Sequence, residues 1–464
     1  MAELLFHGAC EEVTGSMHML RVRNKWVALD CGLFQGRRAD SEAKNRQWPM
    51  NPNEISAVVL SHAHIDHTGR LPLLARDGFD GPIHCTPATR DLSAVMLPDS
   101  AHIQQEDAQY VNNRRARKGL DSIEPLYDED DAIAAVRLMR SVSYDAWFDV
   151  APGLSARFHE AGHMLGSAGV ELAIEDNGAR RTLYFSGDVG RPRTPILRDP
   201  APFPSASIVI CEATYGARVN EPVADAREAF VKIVKATIDR GGKVIIPAFS
   251  VGRTQTIMYY LHEAISANLL PHLPVFVDSP LALNATEVFR THPECFDQET
   301  RKLQQHAGDP FGLSCCTYIR EVEESKRLHQ FKGPCVIISA SGMCEAGRIR
   351  HHIKNNVQDA RNTLLFVGYQ AVNTLGRRLV DGVKAITLFH EEYAVRCQVL
   401  QIHGFSGHAD QTDLLRSLIP LRGTAERIFL VHAEPEQSTA LTAKLNEAGV
   451  HHAALARRGE RCEI

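Results

Sequence analysis

The chain has 464 residues, 44% hydrophobic and 23% charged, with a formal net charge of −5 that leaves 22 histidines uncounted. That length allows two or three domains with separate cores, and the composition excludes a disordered or fibrous class. No apolar run is long enough to cross a membrane, and residues 1–7 lack the charged and apolar segments of a signal peptide, so the cytoplasm is the expected compartment.

In chain order, residues 26–29 form an apolar run that ends on Asp30 and then a glycine turn; alone, Asp30 fits a turn or cap. A second apolar run, residues 57–60, leads into His62-Ala63-His64-Ile65-Asp66-His67, four candidate metal ligands within six residues. A lone H-x-H fits a satisfied histidine pair as well as a metal site. The added Asp-His pair changes the balance, because imidazole and carboxylate together suit zinc-like divalent ions. A tight loop at a strand end turns the two pairs different ways, which leaves each half short of ligands that must come from further along.

Residues 68–74 read as the start of a short helix and residues 88–140 as largely helical. They contain a basic cluster, Asn113-Arg114-Arg115-Ala116-Arg117-Lys118, which reads as a solvated face. An acidic run, Asp128-Glu129-Asp130-Asp131, should cancel part of it at long range. A glycine-rich loop around residues 160–169 then offers His163, with His159 read as structural. Apolar runs at residues 182–185 and 207–211 lead to Asp188 and Glu212. Eleven cysteines with no C-x-x-C pair indicate reduced, mostly buried thiols.

From residue 217 to 385, short apolar runs at 244–247, 275–277, 335–338 and 364–367 alternate with helical patterns. In one of these, Ala226, Ala229, Phe230, Ile233, Val234 and Ile238 share a face. Such alternation implies a mostly parallel sheet covered on both sides. Two of its loops, one with Ser250 and Arg253 and one with Ser341 and Gly342 before Arg348, follow strands. Backbone N–H groups at helix starts bind phosphate, although loops of this kind are also the ordinary connections of such a sheet. The chain closes with runs that lead to His408 and His432.

The H-x-H-x-D-H string resembles the signature of the metallo-β-lactamase superfamily. That resemblance implies an α/β fold, the αββα sandwich, and two Zn2+ per chain. One ion would be held by His62, His64 and His163, the other by Asp66, His67 and His432, with Asp188 shared and Asp30 orienting the ligands from behind. Glu212, His408 and His432 resemble the successive motifs of the β-CASP subgroup, the nucleic-acid-processing branch. The resemblance then implies an α/β β-CASP domain, residues 217–385, inserted between two parts of the sandwich domain, residues 1–216 and 386–464. Substrate would lie in their shared cleft, with phosphate met by Ser250, Arg253, Ser341, Gly342 and Arg348.

RNA-processing members are similar in carrying histidine at the last motif, so His432 points to single-stranded RNA. The implied activity is a zinc-dependent ribonuclease that hydrolyses phosphodiester bonds with a metal-bound hydroxide, with Asp66, Glu212 and His408 as catalytic residues. Neither the extra C-terminal domain of the bacterial exonuclease branch nor the N-terminal RNA-binding domains of the archaeal branch is found. The chain therefore resembles the pre-mRNA 3′-end cleavage subunit and its short bacterial homologues, and an endonuclease of RNA processing or decay is expected. A homodimer is the candidate assembly, and no membrane partner is expected. Three alternatives stand beside this reading. A small-molecule hydrolase would have no use for the insertion, Glu212 or His408; a DNA nuclease would be expected to lack His432; an inactive scaffold subunit would have ligands replaced.

Overall fold

A computed structural model describes residues 2–464 except 177, 369, 372 and 373, with the backbone alone for Ala39 and Ala307. The chain divides into two units. One comprises Met1–Pro192, Asp199–Val219 and Gly407–Ile464, and the other Arg193–Arg198 and Asn220–Ser406.

The first unit is built on two seven-stranded sheets. In spatial order one runs Arg461–Glu463, Glu3–Phe6, His18–Val22, Lys25–Leu29, Ile55–Val59, Ile83–Cys85, Met139–Ser141. The other runs Ala453–Leu455, Arg427–Val431, Ile208–Glu212, Ala179–Phe185, Ala168–Asp176, Leu154–Glu160, Trp147–Ala151. Alternation along the strands explains the layering. Val27, Leu29, Ala57, Val59, Ile208, Ile210, Phe429 and Val431 point into one core shared by the sheets. The intervening Ala28 and Val58 point outward to Leu71, Leu74, Leu97 and Ala132, on the helices Leu71–Arg76, Pro87–Ala116 and Glu129–Arg137. On the far side Val209, Cys211, Ile428 and Leu430 meet Leu414, Leu418, Leu441 and Leu445 of Gln411–Leu418 and Pro435–Glu447. Both faces of the strands are buried, so the sequence reads as unbroken apolar runs. This is the expected αββα sandwich.

Strand direction gathers the polar strand ends. Ile208–Glu212 lies parallel to Ala179–Phe185 and to Arg427–Val431, so Asp188, Glu212 and His432 leave the sheet at the same edge. Leu154–Glu160 is two antiparallel steps from Ala179–Phe185 and thus shares its direction, which brings His163 to that edge as well. In the first sheet Lys25–Leu29 and Ile55–Val59 run parallel and deliver Asp30 and His62 together.

The second unit carries a six-stranded, all-parallel sheet in the order Cys316–Tyr318, Val275–Asp278, Cys335–Ser339, Lys243–Pro247, Thr363–Phe366, Gln398–Gln401. Its connections are helical apart from a hairpin, Ala385–Leu388 with Glu391–Ala394, before the last strand, and in the helix that precedes the sheet, Val223–Asp239, the residues Ala226, Phe230 and Val234 of the expected face are buried. The return to the first unit falls at Gly407 rather than at residue 386, because Gln398–Gln401 pairs with Thr363–Phe366 and extends this sheet.

One local reading changes and one gains detail. The ligand string is not all loop: His64 is the N-cap of a one-turn helix, Ile65–Thr68, separate from Leu71–Arg76. The acidic run starts a helix, with the side chains of Asp128 and Asp131 bonding each other's backbone N–H in a reciprocal cap. All eleven cysteines are free. No helix among the described residues is long and apolar enough to cross a membrane.

Candidate metal centre

The strand ends bring ten of the fifteen residues singled out from sequence into one place within the first unit. His62, His64, His163 and Asp188 form one group of converging ligand atoms, Asp66, His67 and His432 a second, and Asp188, Glu212 and His408 a third. In the first group His62 Nε2 and His64 Nδ1 stand 3.1 Å apart, and His64 Nδ1 and His163 Nε2 stand 3.2 Å apart. Asp188 Oδ2 lies 3.5 Å from both His62 Nε2 and His163 Nε2. In the second, His432 Nε2 is 3.3 Å from His67 Nε2 and 3.3 Å from Asp66 Oδ2, while Asp188 Oδ1 is 3.3 Å from His67 Nε2. Ligands in a tetrahedral shell at zinc distances are about 3.3 Å apart, so both groups have the spacing of such a shell. Asp188 offers a different oxygen to each, and among the described residues its buried Oδ1 lacks an aligned hydrogen-bond donor. The residues fit a divalent pair.

Most of these imidazoles are also held from behind. Asp30, fully buried, takes His67 Nδ1 at 2.7 Å and accepts from Ser61 N–H at 2.8 Å and from the Ser61 and Ser16 hydroxyls. Ser61 Oγ meets His62 Nδ1 at 2.9 Å, the Gly407 carbonyl lies 3.2 Å from His163 Nδ1, and Thr214 Oγ1 lies 3.0 Å from His432 Nδ1. Such partners fix the ring orientation and the tautomer of a metal-binding histidine. Ser61, Thr214 and the Gly407 carbonyl were not singled out from sequence. Thr214 sits two residues after Glu212, but a lone hydroxyl or a backbone carbonyl has no pattern that announces it.

Backbone geometry is specialised here. Asp30 and His432 adopt positive φ, 60° and 53°, a conformation rare outside glycine and concentrated at functional sites. Gly32 is required by close approach, since a Cβ there would lie 1.6 Å from the Asp66 carbonyl oxygen. The backbone of residues 31–33 can thus hydrogen-bond the ligand turn, through Cys31 N to His67 O and Leu33 N to Ile65 O.

Burial holds His62 and His163 well below the usual histidine range, so both are neutral and keep a lone pair for a cation. Burial also opposes charge on His67, but Asp188 and Asp30 outweigh it and hold its pKa well above the usual value. Asp188 is correspondingly held well below the carboxylate range: burial opposes this, and His432 and His67 prevail. A cation taking this place displaces the proton of His67, the usual coupling of metal binding to proton release.

Glu212 is completely buried. Its Oε1 accepts from Val189 N–H at 2.7 Å and lies 3.1 Å from His408 Nδ1, and its Oε2 accepts from Thr214 N–H at 3.2 Å. His408 is placed by a backbone bridge to Gly190 and packs its ring, tilted by 48°, against that of His163, with centroids 4.5 Å apart. Burial disfavours its charged form, but Glu212, with help from Asp188, raises its pKa to about 10. At neutral pH this imidazole therefore carries a proton it can donate. His159 pairs instead with Glu171 at 2.7 Å, beside Arg157.

The remaining five residues lie in the second unit. Ser250 Oγ is 3.0 Å from Ser279 Oγ, and Arg253 is the first residue of the helix Arg253–Ser266. The loop of Gly342 touches that of Ser250, because a Cβ on Gly342 would meet the Phe249 ring at 3.1 Å. Ser341 and Gly342, however, are not at a helix start, since Ile349–Asn356 begins well beyond them. Arg348, read as a phosphate contact, has its guanidinium committed to buried Asp278 at 2.7 Å and to the Arg320 carbonyl at 2.7 Å. His352 meets the other Asp278 oxygen at 2.6 Å.

Three family models match the chain: the metallo-β-lactamase superfamily over residues 11–212, the β-CASP domain over 254–379, and the Zn-dependent metallo-hydrolase RNA specificity domain over 392–455. Among characterised proteins, it is 37% identical over 454 residues to a ribonuclease of Thermus thermophilus, covering 98% of each chain. It is 34% identical to the transcription termination factor FttA of Methanosarcina mazei, covering 92% of this chain and 66% of that protein. A crystal structure of a protein of unknown function from Enterococcus faecalis superimposes with a TM-score of 0.57 over 99% of each chain at 12% identity, a likeness of fold alone.

Proposed function

Because the chain belongs to the β-CASP group of the metallo-β-lactamase superfamily, we propose that it is a zinc-dependent ribonuclease that cuts single-stranded RNA internally in RNA processing or decay. The ligand groups and the matched domains support a metal-dependent hydrolase acting on nucleic acid. The observation that carries two-ion chemistry is the sharing of Asp188, one oxygen towards each imidazole group. RNA as the substrate is supported by His432 in the second group, by the match to the RNA specificity domain, and by a ribonuclease and a termination factor among the relatives. The free thiols fit a reducing, cytoplasmic setting.

In this reading His62, His64, His163 and Asp188 hold one ion, and Asp66, His67, His432 and Asp188 the other. Two ions so held supply charge compensation at a phosphoryl oxygen and lower the pKa of water towards neutrality. Asp30, Ser61 and Thr214 keep the imidazoles oriented. Glu212 keeps His408 protonated, and His408 gives its proton to the departing ribose oxygen, a role that contributes about 10²- to 10⁴-fold in rate.

The test compares turnover of end-labelled single-stranded RNA, single-stranded DNA and a thioester. RNA cleaved to internal fragments at the earliest times is the expected result. Preference for DNA or the thioester, or a one-nucleotide ladder from an end, would contradict the substrate or the internal mode respectively.

A further inference from the structure

The basic cluster at residues 114–118 has no part in the metal centre, and its surroundings differ from the expectation that the acidic run would cancel it. The helix Pro87–Ala116 begins at the metal centre's own edge, where the hydroxyls of Thr86 and Thr89 donate to the Gly166 carbonyl of the His163 loop at 2.7 and 2.8 Å. At 1.5 Å per residue, Arg114 lies about 38 Å along the helix from Thr89. The acidic run meets this helix much earlier, with Glu129 Oε1 3.7 Å from His102 Nδ1. That leaves about 18 Å of helix between His102 and Arg114, roughly two Debye lengths at physiological salt. Arg114, Arg117 and Lys118 are exposed, and among the described residues none of them, nor Arg115, pairs with a carboxylate. Arg115 instead donates to the Asp121 carbonyl and closes the turn. One turn before them Tyr110 is 63% exposed, with the Arg114 guanidinium 5.9 Å from its ring centroid.

On the reading of this protein as a ribonuclease, we propose that this helix tip is a second contact for single-stranded RNA, remote from the cleavage centre. Arg114, Arg117 and Lys118 meet backbone phosphates, and Tyr110 stacks on a base. Exposed cations with no carboxylate pairing to them, beside an exposed ring, are the two components by which sequence-tolerant single-strand binding works, and the nearest acids, Glu106 and Asp107 two turns back and Asp121 just beyond, leave them in the local majority. In a chain with net charge −5 they are a local departure from the whole. The tip and the His163 loop are joined by one continuous helix, so the spacing sets a length requirement. At 3.4 Å per stacked nucleotide, about eleven nucleotides are needed to span it.

Equilibrium binding of labelled 2′-O-methyl phosphorothioate strands of 8 and 30 nucleotides, which keep their charges and resist hydrolysis, tests this in zinc-loaded protein. For the 30-mer, the triple variant R114Q/R117Q/K118Q should lower the slope of log K against log salt by about 2, at about 0.7 per phosphate contact. Y110A should weaken binding about fivefold or more with the slope unchanged. Neither should alter binding of the 8-mer at the cleavage centre. Equal effects on both lengths, no effect on either, or a change confined to self-association in sedimentation would overturn the assignment, the last by giving the tip to a protein contact. Cleavage of unmodified RNA by the wild type is read separately, which distinguishes failure of the tip from failure of the ribonuclease reading.

Discussion

His408 is the residue at which chemistry and architecture separate most cleanly, because it meets Glu212 and lies outside the two imidazole groups proposed to hold the ions. His408→Ala should retain full zinc by atomic absorption yet lose on the order of 10²-fold or more in single-turnover cleavage; a wild-type rate would remove it from catalysis. Glu212→Gln gives a pH readout. With Glu212 in place the His408 pKa is about 10, so the proton is present below that value and is lost as pH rises through it. Without the carboxylate the imidazole moves back towards about 6.5, and activity should fall as pH rises through neutrality instead of persisting to about pH 9. An unchanged alkaline limb would mean that Glu212 does not set this proton. The converging residues were legible in the sequence, because four of them crowd into six residues and most of the others follow an apolar run. The surroundings of Arg348 were hidden for the converse reason: a sequence gives the cation but not the buried Asp278, 70 positions earlier, that pairs with it.

At the scale of elements, strands buried on both faces write themselves as apolar runs, and the polar residue that ends each run marks where it leaves the core. That is why the parallel sheet of the second unit and the polar strand ends of the first could be read in advance. The one-turn helix Ile65–Thr68 could not, since four residues are too few for a periodic signal. The return point at Gly407 was also hidden, because Gln398–Gln401 has the alternating half-exposed pattern of an edge strand and gives no sign of which sheet it joins. The Asp278 network binds elements of the second unit, joining the end of Val275–Asp278 to Ser325, Arg348 and His352. Burial alone would raise the Asp278 pKa, but His352, Ser325 and Arg348 together hold it below the usual range. Asp278→Ala leaves a partly buried guanidinium unpaired and should destabilise the second unit by about 3 kcal/mol in chemical denaturation. A change under about 0.5 kcal/mol would show that the network is not structural.

For the whole molecule, residues from Asp30 to His432 must reach one edge of a sandwich before any metal chemistry is available, and the shared strand direction within each sheet gathers most of them. Ligand groups, the Glu212–His408 pair and the reading as a ribonuclease all depend on that convergence holding two ions with Asp188 between them. Anomalous diffraction at the zinc edge from crystals of zinc-loaded protein measures this directly. The account predicts two peaks, one among His62 Nε2, His64 Nδ1, His163 Nε2 and Asp188 Oδ2, and one among Asp66 Oδ2, His67 Nε2, His432 Nε2 and Asp188 Oδ1. A single peak, or none within these groups, would contradict it.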